Sequence, residues 1–120
     1  MKILIDVMSG DNAPLELIKG AVAAARDFPA AQLVLVGRED VIKQVAAEQG
    51  LSLDKVSIAH ADGIITMEDA PMSVVRAKKD CSMAVALKML AAGEGDAVVS
   101  AGNTGALLTG ATLLVFVNLP

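Results

Sequence analysis

The 120-residue chain has few of the residue types on which several kinds of functional site depend. Cys81 is its one cysteine, so an intrachain disulfide and a thiolate-rich metal centre are excluded, and a reducing, cytoplasmic environment is the simplest expectation. Tryptophan and tyrosine are absent and phenylalanine occurs twice, which removes the aromatic platforms on which single-stranded nucleic acids stack. The 14 Asp and Glu outnumber the 10 Lys and Arg, giving a net charge of −4, so no nucleic-acid partner is expected.

Long hydrophobic segments are also missing. The uncharged stretch 105–117 is shorter than the roughly 20 apolar residues of a bilayer-spanning helix, and we expect it to form a buried core helix. The first residues do not resemble a secretory signal, because their apolar run is interrupted at Asp6 and polar residues follow.

Aliphatic side chains are abundant, and the hydrophobic fraction of 54% is enough for a packed core. Segments typical of strands buried on both faces alternate with segments of helical spacing. This order, β-α-β-α-β-loop-α-β-α, predicts a single α/β domain over residues 1–120, with a parallel sheet and right-handed crossovers. The predicted strands are 2–7, 32–36, 56–60 and 97–100, and the predicted helices are 15–28, 38–49, 82–92 and 106–117.

Three segments are predicted to lie beyond the carboxyl ends of the strands, where open α/β sheets bind their ligands. They are the loops 8–14 and 101–105 and the long segment 61–80, which has no clear period. A loop of that length in a compact domain is often functional.

The turn from the fourth strand into the last helix is the strongest local signal. Gly102 and Gly105 let the backbone approach a ligand closely, and Asn103 or Thr104 can cap the helix or donate a hydrogen bond. Because a helix start also offers unpaired amides, the turn predicts a site for an oxyanion such as phosphate. The alternative is a tight turn selected for its geometry. The turn matches neither a Walker A loop nor the Gly-x-Gly-x-x-Gly dinucleotide fingerprint.

Charged residues of the other two segments are candidates for the same site. Asp6 and Asp11 are interpreted either as structural carboxylates, which order loops or cap a helix, or as catalytic groups. Arg76, Lys78 and Lys79 can balance the charge of a bound anion or form a solvated face.

Other reactive side chains have simpler interpretations. Cys81 is expected to be a small buried residue at a helix start, and His60 a hydrogen-bonded structural residue, although a nucleophile and a general base are the alternatives. Met67, Met83 and Met89 are expected in the core.

Four segments together resemble a known family. They are 5–14 (IDVMSGDNAP), 65–71 (ITMEDAP), 75–83 (VRAKKDCSM) and 98–107 (VVSAGNTGAL). In sequence, order and spacing they are similar to the motifs of the acyl-ACP:phosphate acyltransferase (PlsX) family of bacterial phospholipid synthesis.

The resemblance implies a reaction in which acyl-ACP and inorganic phosphate give acyl phosphate and free ACP. It implies a Rossmann-like three-layer fold of the isopropylmalate dehydrogenase and phosphotransacetylase type, incomplete in this chain. It also implies a homodimer in the cytoplasm that associates peripherally with the membrane and supplies a membrane glycerol-3-phosphate acyltransferase. Neither a cofactor nor a metal is expected.

Within that reaction, phosphate is the nucleophile, and the protein must hold it against a thioester carbonyl. The residues that the resemblance and the loops assign to this task fall into three groups: catalytic Lys79, Asn103 and Asp11; phosphate-binding Gly102, Asn103, Thr104 and Gly105; and loop-ordering or charge-balancing Asp6, Gly10, Arg76, Lys78 and Asp80.

The chain departs from the family in three respects. Ser9 replaces a glycine, which would strain the turn if that position needs a positive φ, and Cys81 replaces a serine. Family chains are more than twice as long, so we expect an amino-terminal portion with an uncovered sheet edge and little activity of its own. The alternatives are a phosphotransacetylase-like enzyme that uses acyl-CoA, a non-catalytic anion-binding module and a dehydrogenase half-domain.

Overall fold

The computed structural model describes residues 1–118 and contains one parallel sheet with helices on both faces. In chain order the main elements are β1 (Lys2–Asp6), α1 (Leu15–Asp27), β2 (Gln32–Gly37), α2 (Glu39–Gln49), β3 (Val56–His60), α3 (Ser82–Ala91), β4 (Ala97–Val99) and α4 (Thr104–Gly110). A short 3₁₀ helix, Pro71–Val74, precedes α3, and α4 continues as a π-helical turn, Ala111–Val115, and a 3₁₀ turn, Phe116–Asn118.

The strands lie in the order β3-β2-β1-β4 and all pairs are parallel. The chain proceeds outward from β1 through β2 to β3 and then returns to the other side of β1. The connection from β1 to β2 therefore leads to one side of β1, and the connection from β3 to β4 leads to the other side. This leaves a crevice at the carboxyl ends of β1 and β4, the usual ligand position in such sheets.

Alternation along the buried strands sends side chains to two different helical layers. On one face Leu35 packs with Ile18 of α1 and Ile42 of α2. On the other face Leu4 and its neighbours pack with Ala86 of α3. The predicted three-layer α/β architecture is confirmed, and it explains why the strands are apolar on both sides.

The predicted elements are confirmed to within about two residues, except the last. Gly50 follows Gln49 and ends α2 in the left-handed region, with φ of 64°. Lys43 and Glu39 form an ion pair one turn apart on α2, with 2.8 Å between Nζ and Oε1.

The prediction of one buried helix over 106–117 is wrong. The α-helix begins at Thr104 and gives way to π geometry after Gly110. Leu108, Phe116 and Val117 are 70%, 71% and 64% exposed. The segment has apolar residues on every side, so its sequence does not show which side faces the core. In the structure the core-facing side is that of Gly110, which packs against Leu87 and Val74. None of the helices within residues 1–118 is both long and apolar enough to span a membrane.

Candidate functional site

Asp6 ends β1 and connects three segments at the crevice. It is 1% exposed, because its position on the strand directs its side chain toward α3. Oδ1 accepts hydrogen bonds from the Met8 amide (3.1 Å) and the Ser82 hydroxyl (2.5 Å), and Oδ2 accepts one from the Ser100 hydroxyl (2.9 Å). One carboxylate thus holds the first loop, the start of α3 and the end of β4 together.

The loop 8–14 packs directly on the turn that follows β4. Gly10 has φ of 101°, and a Cβ there would lie 2.8 Å from that of Ala101, so glycine is required on both counts. Ser9 is 1% exposed and its hydroxyl has no hydrogen-bond partner among the described residues. Within residues 1–118 only glycines have positive φ, so Ser9 does not introduce the strain considered above.

Asn103 precedes α4 and uses its whole amide within the protein. Oδ1 accepts the hydrogen bond of the Ala106 amide (3.1 Å) and caps the helix. Nδ2 donates to the carbonyls of Thr66 (3.1 Å) and Asp69 (2.9 Å). Asn103 therefore fixes residues 64–70, here called the strap, across the turn 101–105.

A second set of hydrogen bonds, within the strap and from Lys78, stabilises its conformation. Oδ2 of Asp69 accepts from the Thr66 amide (2.7 Å), the Thr66 hydroxyl (3.0 Å) and Nζ of Lys78 (2.6 Å). Lys78 also donates to the carbonyl of Ile64 (3.0 Å). The Lys78 hydrogen bond, followed by that of the Thr66 amide, holds the pKa of Asp69 below its ordinary value. The ammonium group of Lys78 is therefore bound to the strap, through Ile64 and Asp69.

The other charged candidates of this region remain at the surface. Arg76, Lys79 and Asp80 are exposed, and their side chains form no hydrogen bond or ion pair within the described part of the chain. Only main-chain groups tie the last two: the Lys79 carbonyl accepts from Nζ of Lys88 (2.7 Å) and the Asp80 carbonyl from the Gly63 amide (3.1 Å).

A cleft of about 250 Å³ separates the loop 8–14 from the strap. Met67 covers Gly102, since a Cβ on that glycine would lie 3.2 Å from the Met67 sulfur, and Pro71 covers Gly105 at 2.9 Å. The open part of the crevice is therefore on the side of Gly10 and Asp11. The residues that line the cleft are Met8, Gly10, Asp11, Ile64, Ile65, Thr66, Met67 and Glu68.

The cleft combines main-chain donors with negative side chains. The amides of residues 9–12, and those of Thr104 and Gly105 in the adjoining turn, donate no hydrogen bond to any residue of 1–118. Such unpaired amides are the usual partners of phosphate oxygens. Asp11 and Glu68 contribute negative charge, whereas no Lys or Arg of the described chain lines the cleft. Residues 1–118 contain no group of three or more His, Cys, Asp or Glu that could hold a metal ion.

Larger depressions lie away from this crevice. One of about 550 Å³ is at the amino ends of β2 and β3, beside Lys2 and Gln32. Another of about 550 Å³ is an open depression beside Arg38 and His60. We place the candidate site in the smaller cleft, because unpaired amides and the switch in strand order coincide there.

The structural interpretations of His60 and Cys81 are confirmed. Nδ1 of His60 accepts from the Glu39 amide (3.1 Å), so Nε2 carries the proton and donates to Asp62 (2.6 Å). Sγ of Cys81 accepts from the Ala84 amide (3.4 Å) at the start of α3. Burial raises the pKa of the Cys81 thiol, which disfavours a nucleophilic thiolate.

The core prediction for Met67 is wrong, whereas that for Met83 is confirmed. Met67 is 56% exposed and Met83 is fully buried. Isolated methionines give no periodic signal in a loop, so burial there depends on how the strap folds. Sequence reasoning also missed Ser82, Ser100 and Asp69. For the two serines the available signal was a small hydroxyl residue at the start of α3 and at the end of β4, and both hydroxyls bond Asp6.

The chain matches known proteins over nearly all its length. A family model described as "Fatty acid synthesis protein" matches residues 1–117. Proteins named phosphate acyltransferase are similar to it: those of Clostridioides difficile (43% identity, covering 96% of this chain and 34% of the relative), Thermoanaerobacterium thermosaccharolyticum (45%, 96% and 33%) and Enterococcus faecalis (40%, 96% and 33%). The chain thus spans about a third of the length of these curated relatives. The match across residues 1–117 shows that the chain belongs to the fatty acid synthesis protein family, the PlsX family that its motifs resemble.

Proposed function

We propose that this chain is the phosphate-positioning part of a phosphate acyltransferase that converts acyl-ACP and inorganic phosphate into acyl phosphate and ACP. The observation that carries the proposal is the set of unpaired amides at 9–12, beside the turn 101–105, where the strand order switches. The name phosphate acyltransferase, shared by the similar proteins, supports the same reaction class.

In this reaction an oxygen of hydrogen phosphate attacks the thioester carbonyl carbon. A carbon–oxygen bond forms, the carbon–sulfur bond breaks, and the leaving sulfur takes the proton from the phosphate as the carrier thiol. The protein supplies orientation and electrostatic stabilisation, and no nucleophilic side chain is needed. Burial favours the protonated thiol of Cys81, which agrees with a reaction that uses no nucleophilic side chain.

No Lys or Arg of residues 1–118 lines the cleft, so the positive charge that balances a bound phosphate must come from elsewhere. Asp11 and Glu68 repel a phosphate dianion, and Lys78 is engaged with Asp69. We propose that Lys79 or Arg76, together with the part of the family protein beyond this chain, provides the compensating positive charge. The isolated chain is then expected to bind phosphate with millimolar affinity and to form little acyl phosphate.

The assignments from the family resemblance complete the proposal. Lys79 and Asp11 are proposed as catalytic residues, and Gly102 to Gly105 as the phosphate seat. Asn103, which the family resemblance assigns to the same task, is proposed as a positioning residue, because its amide bonds to the strap and caps α4. A cytoplasmic homodimer that associates with the membrane surface and supplies a membrane glycerol-3-phosphate acyltransferase is proposed on the same ground.

Phosphate binding is tested on the 120-residue chain by NMR. Addition of phosphate at constant ionic strength is expected to shift the amide resonances of residues 9–12 and 104–105 in a saturable way, whereas chloride leaves them unchanged. Absence of any saturable shift there would contradict the phosphate site.

Catalysis is tested in a chimera in which residues 1–117 replace the matching third of the Clostridioides difficile relative. Acyl-ACP is expected to yield acyl phosphate, and Asn103→Ala or Lys79→Ala should slow its formation at least ten-fold, with Lys55→Ala as the exposed control. An unchanged rate removes that residue from the site. A preference for acyl-CoA as donor would favour the phosphotransacetylase-like alternative, and phosphate binding without turnover would favour the non-catalytic module.

A further inference from the structure

Met67 is a large apolar side chain held at the surface by an unusually well-bonded loop. It is 56% exposed, although burial of a methionine side chain normally stabilises a fold. The residues on either side of it are tied down by the bonds of Thr66 and Asp69 described above. The hydrogen bonds of the strap therefore hold Met67 in its exposed position.

The position of Met67 relates it to the phosphate site. Its sulfur lies against Gly102, at the start of the turn that carries the unpaired amides of Thr104 and Gly105. On the cleft side it shares a wall with Ile64, which is 40% exposed, and with the nearly buried Met8. An apolar wall thus stands beside main-chain donors for an anion.

We propose that Met67, with Ile64, contacts the apolar chain of the acyl substrate beside the phosphate and is a specificity-determining residue of this site. The inference rests on the proposed function. A phosphate oxygen at the amides of 9–12 and an acyl carbon bonded to it must lie within a few ångströms of each other, and the wall of Met67 and Ile64 borders that space. Since a methionine side chain is flexible and polarisable, it suits acyl chains of different shape.

The experiment compares inorganic phosphate with hexyl phosphate, which joins an apolar chain to the same anion. The 120-residue chain, labelled with ¹³C at its methionine methyl groups, is titrated with each ligand, and amide and methyl resonances are followed. Hexyl phosphate is expected to bind at least ten-fold more tightly than phosphate and to shift the Met67 methyl resonance, since each buried methylene contributes up to about four-fold.

Substitution at Met67 should remove the gain from the alkyl chain only. Met67→Ala is expected to lower the ratio of hexyl phosphate affinity to phosphate affinity about five-fold. Met67→Leu should restore most of the loss. Met72→Ala is the matched control, because Met72 is 37% exposed nearby and does not line the cleft.

The outcomes separate the two proposals. If phosphate shifts the amides but hexyl phosphate binds no more tightly, or binds equally to Met67→Ala, the inference about Met67 is overturned and the phosphate site stands. If neither ligand produces a saturable shift at residues 9–12, the phosphate site fails and the inference fails with it.

Discussion

At Gly10 one backbone position joins two loops of the candidate site. Its φ of 101° suits glycine, and the space that a side chain would fill is taken by Ala101. The contact therefore sets the distance between the loop 8–14 and the turn 101–105.

We predict that Gly10→Ala lowers the free energy of unfolding by about 2–4 kcal/mol, the sum of left-handed strain and overpacking. Urea denaturation measures this change. Gly20→Ala is the control, since Gly20 lies in α1 with no atom within 4 Å of a new Cβ, and it should gain about 1 kcal/mol. Equal effects of the two variants would show that the contact with Ala101 does not matter.

Asp6 has the same connecting role for polar groups. We predict that Asp6→Asn lowers the free energy of unfolding by about 3 kcal/mol, because an amide cannot accept all three hydrogen bonds in that buried position. Asp54→Asn, an exposed counterpart, should change it by less than about 0.5 kcal/mol. A double-mutant cycle with Ser100→Ala is expected to show coupling, and strict additivity would contradict the shared network.

At the scale of the elements, the conformation of the strap depends on a titrating group. Asp69 in its ionised form accepts the bonds of Thr66 and Lys78, and its pKa is lowered for that reason. The stabilisation of the strap is fully present above the ordinary pKa of aspartate and is lost as the pH falls through the lowered pKa.

We predict that the Thr66 amide resonance, followed by NMR from about pH 6 to about pH 2, titrates with a midpoint below the ordinary pKa of aspartate. Lys78→Gln should move this midpoint upward, and Asp69→Asn should abolish the titration. Lys43→Gln is the control, since Lys43 pairs with Glu39 on α2 and makes no bond to the strap. A midpoint unaffected by Lys78→Gln would refute the ion pair as the cause.

At the scale of the whole molecule, the sheet has an open edge. β4 pairs with β1 and with no other strand of the described chain, and Val99 on β4 is 54% exposed. The last helical segment also exposes large apolar side chains, those of Leu108, Phe116 and Val117. Apolar patches and open edges of this kind promote association.

We predict that the isolated chain self-associates, with a sedimentation coefficient that rises with concentration. Replacing Leu108 and Phe116 together with lysine should reduce the rise. Phe28→Lys is the control, because Phe28 is 66% exposed at the far end of α1. A concentration-independent sedimentation coefficient for the unmodified chain would contradict the prediction.

Much of the fold could be predicted from the sequence, because strand and helix periods and the glycine-rich turn before the last helix are local properties. The alternation of elements predicted the α/β class, and the position of Asn103 before a helix predicted its capping role. The four motif segments, taken together, predicted the family that the comparison shows.

Other features came from contacts between residues far apart in sequence. The order β3-β2-β1-β4, the burial of Asp6 between Ser82 and Ser100, and the engagement of Lys78 with Asp69 all depend on which segments meet in space. The burial of Met67 was predicted wrongly for the same reason. Burial depends on which residues surround a side chain, and a loop has no periodic pattern from which those residues can be predicted. Local chemistry therefore determined the elements and the capping of α4 by Asn103, whereas long-range packing determined which side chains are left without a partner near the cleft.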